Sequence, residues 1–132
     1  MTSSRAARFI HVLTGIFLLV ILFHVAVLLR LLPYEVVWGG KLQSDEQMYR
    51  FEGLSPLLNL LLIGLLLLKR RNLRQGYRQR WLDWTLGGFG VLFALNTVGN
   101  LMAESCVEQI AFTALTLVTS VLIFSILRAK TA

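Results

Sequence analysis

Residues 69–80, KRRNLRQGYRQR, hold six of the thirteen Lys and Arg residues and no acid, and they sit between two long apolar runs. A short, strongly basic loop between membrane-length segments is retained in the cytoplasm during insertion. Its side therefore sets the side of every other loop, and the chain reads as a series of membrane crossings on either side of it.

Composition agrees. With 132 residues, 56% of them hydrophobic, and a mean hydropathy of +0.69, the chain is too apolar for a soluble domain of its size. One membrane domain, residues 1–132, is the economical reading. The net charge of +6 would point to nucleic acid in a soluble protein. Here the basic residues gather at membrane edges, so the expected partners are the lipid bilayer and its anionic headgroups at residues 69–80, and no nucleic acid. Topogenic charge alone gives the same pattern. The single cysteine, Cys106, excludes an internal disulfide and a CxxC redox centre, and with them the quinone-linked disulfide oxidoreductases.

Taken in order, Arg5 and Arg8 precede an apolar run over 9–32, about 36 Å as a helix and enough to cross a bilayer. No cleavage site follows a short apolar core, so the first helix is read as uncleaved, with Arg30 reaching to the outer interface. Pro33, Tyr34, Trp38, Gly39 and Gly40 make an aromatic turn suited to the headgroup level, within an outer loop over 33–53. Ser44 and Gln47 form a capping-box pattern with Asp45 and Glu46 in the first turn. The second span, 54–69, is short by itself. A helix starting at Ser44 with Pro56 inside it would place Tyr49, Glu52 and Asn59 on one face; a start at Ser55–Pro56 is the alternative. Trp81 and Trp84 open a third span, 82–102, in which Gly90 and Ala94 allow close helix packing. Ser105 and Glu108 form a second capping box ahead of a fourth span, 107–127.

The charges test this arrangement. Arg5, Arg8, the six basic loop residues, Arg128 and Lys130 fall on one side, against Arg30, Lys41 and Arg50 on the other. Glu35, Asp45, Glu46, Glu52, Glu104 and Glu108 fall outside, and only Asp83 inside. The expectation is an all-α, four-helix transmembrane bundle with N- and C-termini cytoplasmic. So strong a bias argues against dual-topology exporters.

Each span also places a polar residue about 10–12 Å below its outer end: His24, Asn59, Asn96 and Thr116. Asn100 lies one turn above Asn96. Gln109, Thr113, Thr116 and Ser120 share one helix face. The inner half offers little beyond Thr14, Asn72 and Thr85. A polar layer under an acidic rim of Glu52, Glu104 and Glu108 reads as an outward-facing pocket for a cation or polar ligand. Interhelical hydrogen bonding reads the same residues without a ligand. The candidate ligand-binding set is His24, Glu52, Asn59, Asn96, Asn100, Glu108 and Thr116. His11 and His24 are about 20 Å apart along one helix and cannot share a metal, and a bis-histidine haem would need His24 from two subunits. No cofactor, metal site or catalytic residue is expected.

The stretch Trp38-Gly39-Gly40-Lys41-Leu42-x-Ser44-x-x-x-Met48-Tyr49-x-Phe51-Glu52 resembles a pattern in a group of small, uncharacterised bacterial four-span integral membrane proteins. So does Asn96-Thr97-x-Gly99-Asn100-Leu101-x-Ala103 with Glu108 and Thr113-x-Leu115-Thr116. The resemblance implies a bacterial origin and no assigned activity; the expected location of the four-span chain is a bacterial inner (plasma) membrane. The function expected is a non-enzymatic binding or assembly module, alone, as a homo-oligomer or with a membrane partner protein. The alternatives are a homo-oligomeric conduit for a cation or small polar solute, and a membrane enzyme with a glutamate acid/base, which lacks any accompanying nucleophile.

Overall fold

The computed structural model describes residues 1–129, and all of its regular structure is helical. Lys130, counted above among the inner charges, lies outside the described residues. Helix α1 spans Ser3–Leu28, with the Thr2 hydroxyl accepting from the Arg5 backbone N–H. It stops short of the expected residue 32 because Arg30 turns left-handed (φ 58°). The Arg30 and Leu31 N–H groups then close on Val27 and Ala26 carbonyls at 2.9 and 2.8 Å, the two bonds of a Schellman stop.

Helix α2 is the longer of the two alternatives, Asp45–Arg74, with Pro56 inside it. The Ser44 hydroxyl accepts from Gln47 N–H at 3.2 Å, while the Gln47 side chain reaches the N–H of Gln43 at 3.0 Å, one residue beyond a standard box. At 30 residues, α2 is about 45 Å long and overshoots a hydrocarbon layer of about 30 Å. Gly76 (φ 67°) ends it, with Tyr77 N–H on the Asn72 carbonyl. Helix α3 spans Arg80–Leu101, and α4 spans Glu108–Leu127, its first turn Glu108–Phe112 widened to π geometry.

Three contacts fix the directions. His24 meets Glu52, Lys69 meets Asp83, and Ser120 meets Gly90, so each helix runs antiparallel to the one before it. Both described ends of the chain therefore lie with the 75–79 turn. Helices α1 with α2, and α3 with α4, pack most extensively, and these two hairpins meet along thinner seams.

The main core fills only that end of the bundle. Ala6, Ile10, Leu13 and Phe17 of α1 pack with Leu62, Leu66 and Leu73 of α2, Leu82 and Leu86 of α3, and Ile123 and Ile126 of α4. The contacts within this core are close. Gly90 shows how close: a Cβ there would sit 2.9 Å from the Phe124 ring and 3.3 Å from Ile123 Cγ2. Ala94, its expected packing companion, faces outward. Leu18, Leu19, Leu22, Leu57, Leu60, Val91, Leu95, Leu117 and Val121 are all exposed, a surface that water would not tolerate on a monomer.

Helices α1, α2 and α4 are long and apolar enough to cross a membrane. Helix α3 has 22 residues and comparable length, but Gly87, Gly88, Gly90, Gly99, Asn96 and Asn100 dilute its apolar run.

Candidate functional site

At the opposite end from the main core, the interior turns polar. Glu52 sits two turns into α2 and is completely buried (0% exposed). His24 Nδ1 lies 2.7 Å from one carboxylate oxygen, and Trp38 Nε1 donates to the other at 2.6 Å. A carboxylate offers only lone pairs, so with Glu52 ionised the Nδ1 position carries the imidazole proton. Both oxygens are thus engaged, one from α1 and one from the loop between α1 and α2.

The loop reaches this carboxylate at a conformational cost. It makes two short turns, Tyr34–Val36 and Trp38–Gly40, and Trp38 itself has φ 56°. A bulky residue in the left-handed region stores about 1–2 kcal/mol and persists only where its surroundings hold it. Val37, buried with Val27 and Met48 and flanked by Phe23 and Phe112, supplies that hold. Gly40 (φ 72°) brings the loop against the α3–α4 turn, where an added Cβ would stand 3.6 Å from Glu104 Oε2. The loop therefore caps both hairpins. Outside the cap, Arg30 pairs with Asp45 and lies 5.8 Å from the Tyr49 ring centre, and its hydrogen bonding to Tyr49 and then Asp45 holds the guanidinium above its ordinary pKa.

The other candidate residues separate into those gathered inward and those not. Asn59 is buried on α2, below Glu52. Thr116 is buried on α4, its hydroxyl 2.9 Å from that of Thr97 and 3.3 Å from Asn100 Nδ2. Glu108 is also buried; read from sequence first as a capping residue on the rim, it turns into the bundle at the π turn. Of the expected acidic rim only Glu104 remains exposed, since Glu52 and Glu108 are interior.

Asn96 is not brought in. It faces outward, and Thr97 takes the inward position. Asn96 and Asn100 differ by about 40° around a helix, enough to carry Asn96 past the contact line. Tyr49, expected to share the Glu52–Asn59 face, is exposed. Gln109 leaves the α4 stripe and folds back onto the Ala103 carbonyl at 2.6 Å, while Ser120 donates to the Gly90 carbonyl at 2.9 Å.

Two contacts of this polar layer carry no plain signal in the sequence. Trp38 reads from sequence as an interfacial aromatic, and Thr97 is masked by its more polar neighbour; the paired glycines after Trp38 were the available sign of an unusual backbone.

The basic end has its own polar knot. Lys69 is buried, and its Nζ lies 2.5 Å from Asp83 Oδ1; Arg78 Nε donates to Asp83 Oδ2 at 3.0 Å. Asn72 donates to Gln79 across the turn at 3.0 Å.

The chain matches no protein-family model, no curated protein and no solved structure.

Proposed function

We propose that this chain is a four-span protein of a bacterial inner membrane, with both termini in the cytoplasm, and that it acts as a non-enzymatic binding or assembly module through the capped polar layer around Glu52. The charge split supports the topology: Arg5, Arg8, Arg128 and the basic turn share one end, and six of the seven acids share the other. The exposed Val91, Leu95 and Val98 support a lipid-facing α3.

One observation carries the functional reading. Glu52 is fully buried, yet one of its two hydrogen bonds comes from a strained outer loop rather than from a helix. An ionisable side chain within a span is expensive and marks a site with a named partner. A cationic or hydrogen-bond-donating group on a ligand or partner segment replaces the Trp38 indole N–H on Glu52 as the cap moves aside. The candidate layer then comprises His24, Glu52, Asn59, Asn100, Glu108 and Thr116.

A second reading has its own observation. The Asn96 amide is exposed and makes no side-chain hydrogen bond among the described residues. In lipid a bare amide favours a partner helix, which supports a homo-oligomer joined along α3. A conduit for a cation or polar solute would then run between copies, since the inner half of one bundle is filled by apolar side chains.

Native mass spectrometry of the protein gently extracted from its own membrane tests both. An additional mass, small molecule or second protein, is the result expected of a binding module. A bare homo-oligomer would replace that reading with the second one, and a bare monomer would remove both.

A further inference from the structure

The basic turn is not uniformly available. Of its six cations, Lys69 and Arg78 are committed to Asp83. Arg70, Arg71, Arg74 and Arg80 have no carboxylate partner among the described residues. Three of these four line one groove of about 400 Å³, together with Leu67 and Gln75. The spacing explains the grouping: positions 67, 70, 71, 74 and 75 recur on one helix face. Arg70 Nε is closed off from solvent and has no hydrogen-bond partner among the described residues. One turn deeper, Leu67 is exposed and apolar. On the neighbouring helix Trp81 and Trp84 are exposed at its first turn, the residue type that sits at headgroup level.

We infer that this groove binds the phosphate of an anionic glycerophospholipid, with Arg70, Arg71 and Arg74 on the phosphate and Leu67 against the lipid's apolar part. Guanidinium groups match phosphate oxygens in paired hydrogen bonds and hold their charge at every physiological pH. Basic pockets on the cytoplasmic side of helical membrane proteins suit such headgroups. Topogenic retention needs only the number of charges in the turn. A site needs their arrangement. The inference rests on the proposal that this end of the bundle meets a membrane surface.

The test uses the purified full chain and three lipid conditions: phosphatidylglycerol vesicles, phosphatidylcholine vesicles, and phosphatidylglycerol vesicles with millimolar inorganic phosphate. Flotation reports insertion, and native mass spectrometry of the detergent-solubilised protein titrated with phosphatidylglycerol reports the first bound lipid. Insertion into both vesicles is expected, with one phosphatidylglycerol held in preference to phosphatidylcholine. Arg70→Gln and Arg74→Gln should each weaken that first lipid about tenfold, whereas Arg80→Gln, which removes the same charge outside the groove, should leave it within about twofold. Equal weakening by all three variants would overturn the site in favour of diffuse charge. Displacement of the lipid by inorganic phosphate would overturn the lipid assignment. Failure to float with either vesicle would instead strike the membrane reading on which the site rests. Helical circular dichroism of each variant, matching the parent, keeps loss of binding distinct from loss of fold.

Discussion

Replacing Trp38 by Phe isolates the bond that closes the cap. The ring keeps its place against Phe51, whose centroid is 5.0 Å away, and only the N–H on Glu52, at 2.6 Å, is removed. A hydrogen bond to a charged acceptor contributes about 1.5–3 kcal/mol. The left-handed backbone at position 38 is retained by Phe, so its strain is common to both proteins and cancels. The opening equilibrium of the loop should then rise roughly 10- to 150-fold. Hydrogen exchange in lipid nanodiscs reads it directly, since amide exchange through local opening follows that equilibrium. The reporters are the N–H groups of Gly40 and Lys41, bonded to the Val37 and Trp38 carbonyls in the closed loop. Amides within the apolar core segment 62–73 should not change. Exchange at Gly40 and Lys41 within threefold of the parent would refute the argument that Glu52 holds the cap.

Further outcomes follow from the packing. Gly90→Ala should destabilise the bundle by about 1–3 kcal/mol through overpacking against Phe124 and Ile123, whereas Gly88→Ala, with nothing within 4 Å of the new Cβ, should be neutral or slightly stabilising; denaturant unfolding in mixed micelles compares them. Asp83→Asn strands the buried Lys69 charge and should cost about 3–5 kcal/mol, and adding Lys69→Met to it should recover most of that loss in the same assay. Cys106 is exposed in the turn between α3 and α4, so a membrane-impermeant maleimide should label it from outside intact spheroplasts. Labelling only after lysis would contradict the proposed topology.

How much of this was legible from sequence depends on what each residue answers to. Helix directions were legible because charge is counted, not packed: the cluster at 69–80 and the acids at the far end sort the same way in one dimension and three. The start of α2 was legible because Ser44 caps through its immediate neighbours, while the stop of α1 was hidden in Arg30, a residue that carries no turn signal of its own. Depth was readable only in part: helical rise counted from residue 32 levels His24 with Asn59 and leaves Glu52 on the rim two turns above, whereas α1 stops at Leu28 and His24 meets Glu52 itself. Facing was not readable. The 40° between Asn96 and Asn100, and the π turn that buries Glu108 and releases Gln109, depend on which neighbour each helix meets. Trp38 was the hardest case, because its role needs a positive φ that only the packing of Val37 and Gly40 around it sustains.

The central claim is that Glu52 holds what this protein binds. Native mass spectrometry of parent and Glu52→Gln chains, extracted side by side from the same membrane, measures it most directly. The account predicts an added mass on the parent that is lost or sharply reduced in Glu52→Gln, with both chains equally helical. The same added mass at the same occupancy on both would contradict it.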